Sequence, residues 1–404
     1  MPELEEPPGA FAGSRRAHRL PASPIRKLAP LADAATARGT KIYYLNIGQP
    51  DIATPPCMLE RLNQITARTL EYSPSTGTPE YLRSLQRYYE RRVGLTLHQN
   101  QILATTGGSE AILFAFMACA DEGDEVIVVE PFYANYVTFA AMAGLQVVPV
   151  TSRGRDGFHM PPLHVWERAL TPRTRCVIIC NPNNPTGTVY SREELEMVSG
   201  FCRDHGLFLI SDEVYREFVY DRRKAISALE LPDLDQIAVV VDSVSKRYSA
   251  CGLRLGALVT RNAAIYDAAL RMAQGRLAPP GLAQFVAAGA DSLGEEYTTA
   301  VVAEYQRRRD VLFEGLTSIP GVFLRKPEGA FYCIARLPVE SAEDFAVYLL
   351  SEFEDRGETV MVAPANGFYV SPLGADEIRI AYVLHEPDLR RAIDLLSIAL
   401  KRYP

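Results

Sequence analysis

Residues 176–187 read CVIICNPNNPTG, an apolar run from Cys176 to Cys180 followed by Asn181-Pro182-Asn183-Asn184-Pro185-Thr186-Gly187. Five consecutive apolar residues without polar alternation suit a strand buried on both faces, as in a parallel sheet. The next seven hold two prolines, three asparagines and a glycine, a combination that breaks helix and strand alike and fixes a rigid loop. In an open α/β sheet, ligands gather at the carboxyl ends of the strands, where this loop begins. An asparagine amide there is placed to orient a ring substituent. The plainer reading is a turn into the next helix.

Outward from this stretch the pattern repeats. Apolar runs lie at 125–130 (EVIVVE), 146–150 (QVVPV), 207–211 (LFLIS), 237–241 (IAVVV) and 255–259 (LGALV). Helical segments fall between them at 109–120, 136–143 and 191–205. The last opens with Ser191 as N-cap and Glu194 three residues on, a capping box, and stops at Gly206. Strand–helix–strand alternation predicts an α/β fold, a mostly parallel sheet covered by helices with right-handed crossovers. From about Asp291 the pattern changes to helices with a few strands (331–334, 378–383), which predicts a smaller α/β domain. The expected division is an amino-terminal arm over 1–24, a large domain over 57–290, and a small domain from 25–56 with 291–404. Pro7, Pro8, Pro21 and Pro24 keep the arm from forming a helix.

Composition narrows the function. The chain has 404 residues and a net charge of −7, so no basic excess exists to neutralise nucleic-acid phosphates. The seven cysteines are scattered without a CxxC pair, and the six histidines show no ligand spacing with them. Free thiols and no metal are expected. No apolar run reaches membrane-spanning length, and the first residues lack the pattern of a signal peptide. A cytoplasmic protein is expected. Of 42 basic residues only six are lysine. Chemistry that needs a primary amine therefore has few candidates.

One of the six is Lys246, in Ser243-Val244-Ser245-Lys246, just past the run at 237–241, with Arg254 eight residues on. A lysine at a strand end can condense with a carbonyl to form a Schiff base. Ser243 and Arg254 can hold a phosphate beside it. Asp212 follows the run at 207–211, with Tyr215 three residues later. A carboxylate there is costly without a cationic partner, such as a protonated pyridine nitrogen; otherwise Asp212 is a helix N-cap. Thr105-Thr106-Gly107-Gly108-Ser109 opens an Ala-rich helix, and helix N-termini bind anions. It matches neither GxGxxG nor the P-loop, which disfavours dinucleotide and nucleotide-triphosphate readers. Taken together, an amine, a pyridinium partner, phenol-oxygen partners and phosphate partners are what pyridoxal 5′-phosphate demands.

On the NPNNPTG loop and the Ser-x-Ser-Lys segment with its arginine, the chain resembles the fold-type I, class I/II aminotransferases from about residue 23 to its end. The resemblance implies that Lys246 bonds the cofactor covalently and that Asp212 pairs with the ring nitrogen. Tyr215 and Asn184 bond the ring's phenolic oxygen, and Ser243, Arg254 and the Gly108–Ser109 amides hold the phosphate. Tyr133 stacks on the ring, with Phe132 the less favoured register. Tyr72 reaches the phosphate of a neighbouring subunit, which implies a homodimer with shared sites. Arg379 clamps the substrate α-carboxylate and Gly48 contacts it through its backbone. Arg276 is the candidate for a distal carboxylate, or else a helix-terminal arginine offsetting the dipole. The expected activity is amino transfer between an amino acid, best aspartate or glutamate, and a 2-oxo acid such as 2-oxoglutarate. Broad, aromatic or alanine specificity and a β-lyase of the same fold are the alternatives. A DNA-binding regulator on this fold would need a basic domain ahead of residue 23, which some 20 residues do not form.

Overall fold

The computed structural model describes residues 14–18, 20, 21 and 23–404. Most of the expected arm lies outside these. The strands are β1 (Lys41–Tyr44), β2 (Ile102–Thr105), β3 (Glu125–Glu130), β4 (Gln146–Thr151), β5 (Thr174–Cys180), β6 (Phe208–Asp212), β7 (Ala238–Ser243), β8 (Gly256–Thr260), β9 (Phe323–Leu324), β10 (Tyr332–Arg336), β11 (Glu358–Met361), β12 (Ala363–Pro364) and β13 (Glu377–Ala381). Seven form the main sheet in the order β2-β8-β7-β6-β5-β3-β4. Neighbours from β7 to β4 are parallel, whereas β8 runs antiparallel to both β7 and β2.

The apolar runs mean what their composition implies. Val177 and Ile179 of β5 pack in one core cluster, while Cys176, Ile178 and Cys180 pack in another on the opposite face. Val240 of β7 separates from Val239 and Val241 in the same way. The central strands are therefore buried on both sides, and each inward Val or Ile contributes ~2 kcal/mol of apolar burial.

The helices that matter for the site are α1 (Ala29–Ala37), α2 (Gly108–Cys119), α3 (Asn135–Ala143), α4 (Arg192–Asp204), α5 (Val244–Arg247) and α6 (Ala263–Arg276). The capping box of α4 forms as expected: Ser191 Oγ accepts from Glu194 N at 3.2 Å, and Glu194 Oε2 accepts from Ser191 N at 2.7 Å. A second, antiparallel sheet has the order β12-β13-β10-β9. The early strand β1 pairs in parallel with β11, tying the amino-terminal segment to the last third of the chain. Among the described residues no helix is long and apolar enough to cross a membrane.

In the main sheet two features escaped the sequence reading: strand β2, and the direction of β8. Both shape the site. Because β8 is antiparallel, its first residue, Gly256, pairs with Ser243 at the end of β7 and with Thr105 at the end of β2. Arg254 and the Gly107–Gly108 turn therefore arrive at the same sheet edge as the carboxyl ends of β5, β6 and β7. In the parallel registers Cys180 lies opposite Asp212, so the NPNNPTG loop leaves the sheet beside Asp212.

Candidate active site

The first group at this edge is an anion cradle. Gly107 has φ +81° and caps α2 without a side-chain hydrogen bond. A Cβ there would meet Arg254 Nη2 at 2.7 Å, so glycine is needed for both the backbone angle and the close approach of the guanidinium. The first amides of α2 have no intrahelical acceptors. Glu110 Oε2 accepts from Thr106 N at 2.8 Å and holds the turn. Across from it, Ser243 Oγ lies 2.9 Å from Ser245 Oγ and 3.1 Å from Leu255 O.

The second group surrounds Asp212, which ends β6 and is buried. Its Oδ2 accepts from the Tyr136 hydroxyl at 2.7 Å and its Oδ1 from Val214 N at 3.3 Å. Burial pushes its carboxyl up to about 6, against the lowering effect of those two hydrogen bonds. The folded protein thus holds a proton here that the unfolded chain releases near pH 4, so this group's contribution to stability falls as pH rises from about 4 to about 6. Asp212→Asn removes the titration. In the cofactor-free protein we expect wild type to lose roughly 2–3 kcal/mol relative to Asp212→Asn across that window, read from paired chemical-denaturation curves. Parallel pH profiles for the two proteins would count against a buried carboxyl at this position.

The third group is a chain of polar contacts. Asn184 Nδ2 donates to the Tyr215 hydroxyl at 3.3 Å, and that hydroxyl lies 3.0 Å from the Tyr332 hydroxyl. Arg379, on β13, donates to Asn184 Oδ1 at 3.3 Å and also to Asn46 O. Its guanidinium is only 1% exposed and lies between the rings of Tyr332 and Phe368, at 4.8 and 4.9 Å from their centroids. Burial lowers its pKa, no carboxylate pairs with it among the described residues, and its Nε has no hydrogen-bond partner. Lys246 reaches from α5 to the same space, where Nζ donates to Gly48 O at 2.8 Å. Gly48 tolerates no side chain, since a Cβ would fall 1.8 Å from the Tyr332 hydroxyl.

These groups line one cavity of about 800 Å³, which brings together Gly48, Gly108, Ser109, Tyr133, Asn184, Asp212, Tyr215, Ser243, Lys246, Arg254 and Arg379. Tyr133 lines it, whereas Phe132 is in the core, stacked on Tyr136 at 6.4 Å. Two anticipated residues lie outside. Tyr72 is 83% exposed. Arg276, at the end of α6, places Nε 3.2 Å from Glu110 Oε1 and donates to Ala104 O at 3.2 Å. The sequence reading missed Tyr136, Tyr332 and Asn46. Tyr136 and Tyr332 had been read only as members of a helix and a strand.

The profile described as "Aminotransferase class I and II" matches residues 40–396 of the chain. A protein named aspartate/prephenate aminotransferase from Thermus thermophilus is 31% identical over 372 residues, covering 90% of this chain and 92% of that one. An aspartate aminotransferase from Rhizobium meliloti is 29% identical over 97% of both chains. The solved structure of an alanine aminotransferase from Pyrococcus furiosus superposes with a TM-score of 0.89 at 27% identity, covering 97% of this chain and all of its own. With a lysine, a buried carboxyl, an anion cradle and an unpaired buried arginine around one cavity, and with these relatives spanning nearly its full length, the chain belongs to the class I and II aminotransferases, pyridoxal phosphate enzymes of fold type I.

Proposed function

We propose that the enzyme moves an amino group between aspartate or glutamate and a 2-oxo acid such as 2-oxoglutarate. The observation that carries the amino-acid assignment is Arg379. A buried guanidinium with no carboxylate partner among the described residues and an orphaned Nε, in the same cavity as Lys246 Nζ, suits an anionic ligand. An α-carboxylate is such a ligand. The dicarboxylic preference draws on relatives named for aspartate.

The residues present fit pyridoxal phosphate. The cradle of α2 amides, Ser243 and Arg254 suits its phosphate. Asp212, pushed toward neutrality by burial, suits its ring nitrogen, because a cationic partner would offset the desolvation of the carboxylate. Tyr215 and Asn184 suit its phenolic oxygen, and Tyr133 its ring face. When bound, the cofactor supplies an electrophilic carbon that accepts amines and a ring that withdraws electrons.

The chain's own residues do the rest. Arg379 binds the α-carboxylate and, through Asn184 and Asn46, fixes its orientation. Lys246 Nζ takes the proton from the substrate Cα as general base and gives it up as general acid away from Cα, so that the amino group stays behind when the 2-oxo acid leaves. Asp212 holds a proton at the ring nitrogen, with Tyr136 fixing its carboxylate. Gly48 O accepts from Lys246 Nζ and keeps the amine pointed into the cavity when it is free.

A panel of amino donors with 2-oxoglutarate tests the reading. Glutamate formation from aspartate is expected to exceed that from alanine or phenylalanine by tenfold or more in kcat/KM. A preference for alanine or an aromatic donor would remove the dicarboxylic assignment. Release of ammonia and pyruvate without a product amino acid would favour a β-lyase. Tyr72, exposed in one chain, is proposed to reach the phosphate of a second copy. A solution mass near twice 44.7 kDa is expected, and a mass of one chain would remove the shared-site proposal.

A further inference from the structure

We infer that Arg26 takes the distal carboxylate of a dicarboxylic substrate. The inference deepens the function proposed above and rests on it. The cavity wall carries four cationic side chains: Arg26, Lys246, Arg254 and Arg379. Amine chemistry, phosphate and α-carboxylate account for three. Arg26 is left. It is exposed to the cavity and makes no ion pair among the described residues.

Its backbone is not adrift. Asn46 Nδ2 donates to Ile25 O at 3.0 Å, and the carbonyl of the same Asn46 accepts from Arg379. One asparagine thus ties the residue before Arg26 to the guanidinium assigned to the α-carboxylate. Pro24 packs so closely on Gly367 that a Cβ there would fall 2.3 Å from the proline Cβ. The turn into α1 is therefore held on both sides of the chain. Arg26, Arg379 and Tyr133 line the same cavity; burial raises the Tyr133 phenol, and both arginines favour its ionised form against that effect. Both arginines line the one cavity, and on this inference a substrate with two carboxylates meets Arg379 with one and Arg26 with the other.

Arg276 does not compete within this chain, since it turns to Glu110 and the Ala104 carbonyl, outside the cavity. Asp33 of α1 is the one carboxylate on the wall besides Asp212. Its negative charge does not attract a distal carboxylate, which leaves Arg26 as the attractive partner.

The experiment compares Arg26→Gln, Arg26→Lys and Arg276→Gln in the loaded enzyme. Turnover is measured for aspartate, glutamate, alanine and phenylalanine. Binding of succinate and of butyrate is measured by calorimetry. Arg26→Gln should lower kcat/KM for both dicarboxylic donors about 30- to 100-fold and for alanine less than threefold. Succinate affinity should fall in parallel while butyrate affinity holds. Arg26→Lys should recover to within about tenfold of wild type, because the charge remains and the fork is lost. Equal losses for all four donors, an unchanged succinate affinity, or a selective loss in Arg276→Gln instead would overturn the assignment. If wild type itself does not use aspartate or glutamate, the proposed function falls and Arg26 with it. If wild type does use them, any of the earlier outcomes removes Arg26 alone.

Discussion

Lys246→Ala is expected to lower amino transfer by about 10⁴-fold while the protein still folds and still takes up pyridoxal phosphate. The magnitude follows from losing a positioned acid–base group, worth roughly 10²–10⁴ in rate, together with the covalent step that only an amine provides. No other lysine lines the cavity, so no neighbouring amine substitutes. Retained folding follows from the small structural role of the side chain. Its Nζ makes one hydrogen bond, to Gly48 O, and a sulfur contact at 3.9 Å to Cys251. The carboxyl end of β7 is held instead by buried ion pairs: Asp242 with Arg247 at 2.7 Å and with Arg216 at 3.4 Å. Borohydride treatment separates the two roles. It should fix the cofactor to wild type with a mass gain that maps to Lys246, and add none to Lys246→Ala. Turnover within tenfold of wild type in the variant would sink the assignment.

How far this site could be read from sequence depends on what each residue answers to. The strands β3, β5, β6 and β7 were legible because each carries an unbroken apolar run buried on both faces. Their ends were less so. Asp212 and Ser243 were placed just after their runs, yet each is the last residue of its strand, because the ladder pairs backbone whatever the side chain (Asp212 lies opposite Val241). The strand β2 is four residues long, behind a polar QNQ turn, and gives too little pattern to see. An apolar run carries no direction, so nothing in 255–259 said that β8 is antiparallel, although that reversal is what delivers Arg254. The role of Tyr136 was hidden for another reason. Its partner is Asp212, and only the folded sheet puts α3 beside β6. Arg276 shows the same limit in reverse. A basic residue at a helix end near a possible substrate gave no hint of Glu110, whose carboxylate it meets across the fold.

Arg379→Leu is expected to lower kcat/KM for every amino-acid donor by 10²–10⁴-fold and to leave the ligand-free protein within a few degrees of the wild-type Tm. The loss follows from two charge-assisted hydrogen bonds to one carboxylate, at roughly 1.5–3 kcal/mol each, made in a dry site. It should be shared by mono- and dicarboxylic donors, because all carry the α-carboxylate; this separates Arg379 from Arg26. The near-neutral stability follows from the opposite side of the same physics. In the free protein Arg379 is a buried cation with no anion beside it among the described residues, and burial already lowers its pKa. Its bonds to Asn184 and Asn46 and its place between two rings offset that cost only in part. Leucine gives up those contacts but also the desolvation of a charge, and it keeps most of the volume. The contrast should appear on adding succinate: wild type gains Tm, because the ligand binds only the folded state, and Arg379→Leu does not. Arg379→Lys should recover little, since a point charge does not reproduce the planar fork. A variant that kept kcat/KM within threefold, or one that unfolded ten degrees early, would mean that Arg379 serves the core and that the cavity takes its substrate by another group.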